Sequence, residues 1–202
     1  MSAPPLRVDR PALGAVELAS VARGIVVLDQ MVKRAETTVL RAATHSPGRY
    51  LILITGAEAE VEEAMAAALA TAGEDRVDHL ILYDPAEALR AALASELEVA
   101  LGESLAIVET TTLSAALLAA DRAVKESEVS LLELRLGAGL SGKGVFTLTG
   151  SLPMIEAAQA VIIARIPESS LVRVEVIAQP HPDLPRRLLE AEKPWVRGPK
   201  ER

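Results

Sequence analysis

An internal duplication constrains this chain more than any other feature of its sequence. Shifting the sequence by 92 residues places the first half on the second with seven identities over residues 16–40. The offset then grows to 94 and later to 95, and the first length change adds two residues to the second copy just before Gly142. A repeat of this length predicts two copies of one domain. We assign them to residues 12–100 and 103–186, with an N-terminal extension (1–11) and a C-terminal tail (187–202).

Each copy predicts the same order of elements, β-α-β-β-α-β. In the first copy the predicted strands are 13–18, 38–43, 49–55 and 77–83, the helices are 21–35 and 57–72, and a terminal helix covers 85–100. In the second copy the strands are 105–110, 129–136, 143–149 and 171–178, with helices after Thr112 and over 152–166. This order is the split βαβ of ferredoxin-like type, so the predicted fold class is α/β (α+β) with two tandem domains.

The first helix of each copy carries an apolar stripe. Its members step by three or four residues and therefore share a face. They are Val21, Ile25, Leu28 and Val32 in the first copy, and less cleanly Leu113, Leu117, Ala120 and Val124 in the second. Ser20 and Thr112 stand where an N-cap hydroxyl would begin each helix.

Composition excludes several classes of protein. Half of the residues are hydrophobic, so the chain can bury a core, and no cysteine is present to form disulfides or thiolate metal sites. The net charge of −7 argues against a nucleic-acid binder and against attraction to an anionic membrane. The N-terminus is broken by prolines and has no apolar core segment, so we expect no signal peptide and a soluble cytosolic protein.

The stretch from Gly137 to Gly144 matches two nucleotide-binding patterns, GxGxxG and GxxxxGK. Both patterns hold phosphate only where the loop opens onto a helix, whereas the residues that follow, 145–149, alternate as a strand does. The first copy also lacks these glycines. The pattern therefore favours a hairpin loop over a phosphate site.

Candidate catalytic residues are few. The three histidines, His45, His79 and His181, are not spaced as metal ligands on one element. Glu17 and Glu109 form a repeated pair that could do acid–base chemistry, but their repetition favours a carboxylate that meets backbone amides or a basic partner. The repeated pairs Asp29–Lys33 and Asp121–Lys125 have the spacing of helix-surface salt bridges.

The repeated motifs resemble those of bacterial microcompartment shell proteins. The first copy carries Leu-Gly-Ala-Val-Glu at its first strand and Asp-Gln-Met-Val-Lys-Arg-Ala at the end of its first helix. The second carries Leu-Ala-Ile-Val-Glu-Thr, Ala-Asp-Arg-Ala-Val-Lys, Leu-Ser-Gly-Lys-Gly and Thr-Leu-Thr-Gly. The resemblance covers about residues 12–184 and implies the non-permuted tandem class, which forms single-layer homotrimers with pseudo-sixfold symmetry. Such tiles are structural proteins, not enzymes, and pack with hexameric tiles and pentameric vertices into a shell in the bacterial cytoplasm.

The resemblance also implies functional positions. The pore, which passes small metabolites, is lined by the loop between the second and third strands of each copy. The lining residues are His45, Ser46, Pro47, Gly48, Gly139, Leu140, Ser141 and Gly142. The tile-edge lysines correspond to Lys33 and Lys125. Arg49 and Lys143, with His45, would give the pore mouth a positive charge that favours small anions. Some tandem relatives hold an iron–sulfur cluster through a pore cysteine, but this chain has no cysteine, so no cofactor and no metal are expected.

Two alternatives remain open at this stage. A regulatory trimer of the same domains would bind a small molecule in clefts between subunits. An enzyme would use Glu17 or Glu109 with a histidine, although no repeated histidine supports it.

Overall fold

The computed structural model describes residues 12–137, 139–181 and 183–184. The predicted N-terminal extension, residues 1–11, lies outside the described residues. The predicted C-terminal tail, residues 187–202, also lies outside them. No helix in the described part of the chain is long and apolar enough to cross a membrane.

The first domain is a four-stranded antiparallel sheet with two long helices. Its elements are β1 (Ala12–Leu18), α1 (Val21–Arg34), β2 (Thr38–His45), β3 (Arg49–Gly56), α2 (Glu58–Ala72), β4 (Arg76–Tyr83) and α3 (Glu87–Leu93). The strands are ordered β2-β3-β1-β4, so β1 lies between its two non-consecutive neighbours.

The second domain repeats this arrangement. Its elements are β5 (Ser104–Thr110), α4 (Leu113–Glu126), β6 (Ser130–Leu136), β7 (Gly144–Gly150), α5 (Leu152–Arg165) and β8 (Leu171–Ile177). The strand order β6-β7-β5-β8 is the same as in the first domain, and all neighbours are antiparallel. The predicted tandem ferredoxin-like split βαβ fold is confirmed.

The helices α1 and α4 begin after the N-cap residues that the sequence predicted, Ser20 and Thr112. The hydroxyl of Ser20 accepts a hydrogen bond from the amide of Arg23 at 3.2 Å, and that of Thr112 accepts one from Ala115 at 3.2 Å. Each cap satisfies one of the amide groups that a helix leaves unpaired at its start.

The terminal helix of the first domain is shorter than predicted. The sequence predicts a helix over 85–100, whereas α3 ends at Leu93. Ser95 adopts a left-handed conformation with φ of 61°, and the amides of Ser95 and Glu96 donate to the carbonyls of Ala92 and Ala91. This pair of hydrogen bonds is the Schellman arrangement that ends helices. Apolar spacing alone did not reveal it.

The two faces of the first sheet contribute to different cores. Alternate residues such as Val16 and Ile52 pack beneath α1 and α2 of the same domain. The intervening residues, such as Leu13 and Leu51, join a larger core that includes Leu117 of α4 and Phe146 of β7. The second domain therefore covers the outer face of the first sheet and shares the larger core with it, whereas the smaller core belongs to the first domain alone.

Candidate functional site

The two hairpin turns that the sequence analysis assigned to the pore lie against each other. We call residues 45–48 turn 1 and residues 137–143 turn 2. A Cβ atom built on Gly137 would lie 2.9 Å from the ring of His45, and one built on Gly142 would lie 2.8 Å from Nη1 of Arg49. Backbone of turn 2 is thus in direct contact with side chains that flank turn 1.

The tips of both turns are open to solvent. Ser46, Pro47 and Gly48 are exposed in turn 1, and Gly139 and Ser141 are exposed in turn 2. A hollow of about 420 Å³ lies beside them, lined by Thr44, His45, Ser46, Pro47, Gly48 and Gly139. The left-handed φ angles of Gly48 (83°), Gly139 (74°) and Gly142 (87°) explain why glycine recurs in these tight turns.

His45 is a buried member of this group. Its side chain packs on Gly137, and its Nδ1 atom lies 3.1 Å from the carbonyl oxygen of Ser46. Because a carbonyl only accepts, this contact requires the proton on Nδ1. Burial lowers the pKa of His45, and the nearby Arg49 and Arg41 act in the same direction. The neutral imidazole is therefore favoured, and His45 holds the two turns together.

The two basic residues predicted for the pore mouth have different surroundings. The Nζ atom of Lys143 donates to Oε1 of Glu109 at 2.6 Å, in a half-exposed ion pair between the end of turn 2 and β5. Arg49 is half-buried beneath Gly142 of turn 2. Within the chain, the positive charge of Lys143 is thus balanced by a carboxylate.

Each of the repeated glutamates has one of the two predicted kinds of partner, a backbone amide or a basic side chain. Glu17 is fully buried, and its Oε1 atom accepts a hydrogen bond of 2.7 Å from the amide of Ser114, in the first turn of α4. Desolvation raises the pKa of Glu17 to about 7, opposed by the hydrogen bonds from Ser114 and reinforced by the nearby Asp78. Glu109 instead meets a basic partner, Lys143.

The repeated Asp–Lys pairs also have different environments in the two copies. Asp29 and Lys33 form an exposed pair at 2.6 Å on α1. In α4, the side chain of Asp121 is 1% exposed and accepts both from Lys125 at 2.9 Å and from the backbone amide of Ala86 at 2.8 Å. Asp121 is therefore part of the contact between the domains.

The apolar stripe of the first helix shows the same difference between the copies. In α4, Leu113, Leu117 and Ala120 are fully buried, because α4 lies between its own sheet and strands β1 and β4 of the first domain. In α1, two of the matching side chains are exposed, Ile25 at 55% and Val32 at 46%. The other two, Val21 and Leu28, are half-buried against the core of their own domain. The residues of α1 buried beneath its sheet are Gly24, Val27 and Met31.

The remaining histidines are not brought to a common site by any described contact. His79 lies in β4, and Nδ1 of His181 accepts from the amide of Asp183 at 3.2 Å. Within residues 12–137, 139–181 and 183–184, no group of three or more His, Asp or Glu side chains is arranged to hold a metal ion.

Sequence reasoning missed three contacts between the domains. They are the hydrogen bond from Ser114 to Glu17, the hydrogen bond from Ala86 to Asp121, and the hydrogen bond from Thr112 to Asp78. The repetition of Glu17 and Asp29 at Glu109 and Asp121 was the signal, since a polar residue kept in both copies suggests a shared structural role. The partners could not be found without the relative placement of the domains.

Comparisons with known proteins agree on one family. The model of the BMC domain matches residues 12–85 and again residues 104–180. A bacterial microcompartment shell protein, PduT of Citrobacter freundii, is 32% identical over 180 residues, which covers 89% of this chain and 98% of that protein.

Two solved structures resemble this fold. A microcompartment protein from Desulfitobacterium hafniense has a TM-score of 0.76 and 34% identity, covering 85% of this chain and 96% of its own. The fused permuted hexameric shell protein of the RMM microcompartment has a TM-score of 0.57 at 21% identity, covering 76% of this chain and 82% of its own, and supports the fold alone.

Proposed function

The chain belongs to the BMC domain family, and we propose that it is a structural shell protein of a bacterial microcompartment that assembles as a homotrimeric, pseudohexagonal tile. A chain with two similar domains can fill two positions of a six-position ring, so three chains close it. Closed cyclic symmetry is the usual state of soluble oligomers.

The observation that carries this proposal is the unequal burial of the two matching helices. In α4, the apolar stripe is covered by the first domain, whereas the stripe of α1 leaves Ile25 and Val32 exposed. A second copy that places the outer face of its second sheet on α1 would repeat the contact already made within the chain. This head-to-tail contact generates a ring when it closes after three chains.

The trimer is tested by its mass and by its shape. Native mass measurements are expected to give three chains, and negative-stain images are expected to show discs with a central hole. A chain that remains monomeric at high concentration contradicts the proposal. A discrete trimer that never tiles and gains stability with a nucleotide favours the regulatory alternative.

The pore would be formed by the two kinds of turn alternating around the axis. Its lining is His45, Ser46, Pro47 and Gly48 from turn 1 with Gly139, Leu140, Ser141 and Gly142 from turn 2. Support comes from the contact of the two turns within one chain and from the exposure of their small, uncharged tips. Such a rim suits the passage of small polar metabolites.

Positive charge at the pore mouth, from Arg49 and Lys143, remains part of the proposal. The pairing of Lys143 with Glu109 assigns a smaller share of that charge to the lysine than to Arg49. Faster flux of a small anion through wild-type shells than through shells with Arg49→Ala and Lys143→Ala is the expected result. Equal flux contradicts the charge assignment but does not contradict the proposed pore.

Lys33 and Lys125 are proposed to lie at the tile edge. Both stand in the C-terminal half of the first helix of a domain, and each is paired with an aspartate one turn earlier. Replacement of both by alanine is expected to abolish sheets while discs of three chains persist. Loss of the discs as well contradicts an edge role and indicates a role inside the trimer.

The tile would act with other shell proteins, the hexameric tiles and pentameric vertices of the same shell, in the bacterial cytoplasm. This role is structural and requires neither catalysis nor a cofactor. The two candidates for an enzyme are already engaged: Glu17 by Ser114 across the two domains, and Glu109 by Lys143 within the second domain.

A further inference from the structure

The contact between Glu17 and α4 has a matching position in the second domain, and no helix of the described residues lies on it. Glu17 takes the amide of Ser114, the second residue of α4. The shift of 92 residues relates Glu17 to Glu109 and Ser114 to Ala22, which is the second residue of α1. Ala22 is exposed, and Glu109 retains 32% of its side-chain exposure.

The residues directly opposite the two glutamates carry opposite charges. In the first sheet Glu17 lies directly opposite Asp78 of β4, and neighbours opposite each other on antiparallel strands face the same side. In the second sheet Glu109 lies opposite Arg173 of β8 and is paired with Lys143 at the end of turn 2. The first glutamate therefore has an acidic neighbour, whereas the second has basic ones.

From this difference we propose that Glu109 of one copy binds the amide of Ala22 at the start of α1 in the next copy, with Lys143 as its counter-ion. The inference rests on the proposed trimer and names the polar contact that closes it. A carboxylate is favoured at the N-terminus of a helix, because the helix dipole is positive there. The exposed side chains of Ile25 and Val32 on the same helix supply the apolar part of the contact.

The charged groups around this contact explain why a counter-ion is needed. Closing the ring removes water from Glu109, as α4 of the second domain does for Glu17. Lys143 faces it from the end of turn 2, and Arg173 faces it from β8, where it is also paired with Glu175 at 3.4 Å. Arg135 lies in the same row of the sheet on β6. On the side of α1, Arg23 stands in the first turn, 3.6 Å from Asp75 of its own domain. A carboxylate can therefore enter this interface without losing its charge.

The position is tested by cross-linking in a chain that has no cysteine of its own. We expect the double variant Ala22→Cys with Glu109→Cys, treated with a short bis-maleimide, to give covalent species of two and three chains and nothing larger. The matched control pairs Glu156→Cys with Ala22→Cys, since Glu156 is an exposed carboxylate on α5. The control is expected to remain uncross-linked.

The energetic role is tested by the concentration dependence of the mass. Glu109→Ala is expected to weaken association of the three chains at least tenfold, whereas Glu109→Gln, which keeps an acceptor, recovers part of it. Lys143→Met is expected to weaken association about fivefold, and Lys143→Arg to preserve it. Glu156→Ala is the control and is expected to change nothing. Circular dichroism of each variant below its association range confirms that the chain still folds.

The outcomes separate the inference from the proposed function. A wild-type trimer that is neither cross-linked through positions 22 and 109 nor weakened by Glu109→Ala overturns the inference and leaves the trimer standing. A wild-type chain that does not associate overturns the proposed trimer. Association that is weakened by Glu109→Ala but unchanged by Lys143→Met overturns the counter-ion role of the lysine.

Discussion

Tyr50 lies so close to Gly24 that a Cβ atom on the glycine would sit 2.5 Å from Cδ1 of the ring and 2.7 Å from its Cβ. The tyrosine belongs to β3 and the glycine to the middle of α1, so the missing side chain lets the helix approach the sheet. In the second domain the glycine of the equivalent contact lies on the strand instead of the helix. A Cβ on Gly144 of β7 would lie 2.4 Å from Cβ of Ala116 in α4. The two copies therefore fill one helix–strand contact in opposite ways.

Gly24→Ala is expected to destabilise the chain, against the usual trend for helices. Alanine gains about 1 kcal/mol over glycine in a helix interior. Overpacking of a tight core typically costs about 1–3 kcal/mol, and here the clash includes the Cβ of Tyr50, which cannot move without the backbone. A net loss in the free energy of unfolding by urea is the expected result. An increase would mean that β3 yields easily. Gly144→Ala, the equivalent change in the second domain, is expected to have the same sign.

The pH dependence of stability is expected to report on Glu17. Burial raises the pKa of its carboxyl from 4.5 to about 7 in the folded chain, so the folded state binds a proton that the unfolded state releases. The stabilisation of the folded state is complete below pH 4.5 and is lost as the pH rises to 7. It amounts to about 3 kcal/mol at most.

Glu17→Gln keeps an acceptor for Ser114 and cannot ionise. The difference in unfolding free energy between wild type and variant should therefore change between pH 5 and 7 and level off above pH 8. A difference that is constant with pH contradicts the buried, titrating carboxyl.

The helix stripe shows how far sequence alone reaches in this fold. Its spacing correctly placed α1 and α4 and grouped Ile25 with Val32, but it could not tell which apolar face meets the sheet. In α1 a second face, Gly24, Val27 and Met31, is the one that packs beneath the sheet of its own domain. The helix α1 is apolar on two sides, and its spacing therefore did not determine which side packs on the sheet.

The candidate site was predicted in its parts but not in its contacts. Gly-containing turns and repeated glutamates are local features, and the sequence located them. The packing of His45 on Gly137 and the choice of Ser114 or Lys143 as a glutamate partner depend on how one domain sits on the other. Each of these contacts joins residues from different strands or domains, and no spacing rule encodes them.

Asp121→Ala is expected to cost far more within the chain than Asp29→Ala. Asp121 is buried and accepts from the amide of Ala86, so its loss leaves a half-buried donor unpaired, at a cost of about 1–3 kcal/mol. Asp29 makes only an exposed pair with Lys33, and such pairs contribute about 0–1 kcal/mol. Urea unfolding at low protein concentration compares the two variants directly. Equal losses would show that the contact from Ala86 contributes little.

The contact between the two turns can be isolated by comparing two glycines of turn 2. Gly137 and Gly139 have nearly the same φ, 76° and 74°, so alanine meets similar backbone strain at both. Only at Gly137 does the new Cβ reach the ring of His45, at 2.9 Å, whereas at Gly139 its nearest contact is Arg135 at 3.7 Å. We expect Gly139→Ala to cost about 1–2 kcal/mol from strain alone, and Gly137→Ala to cost about 1 kcal/mol more because the imidazole must move.

Thermal unfolding measures the costs, and NMR titration of His45 supplies a second readout. Displacement of the ring into water should raise its lowered pKa toward 6.5 in Gly137→Ala and leave it lowered in Gly139→Ala. Identical behaviour of the two variants would mean that turn 2 does not hold His45 in place.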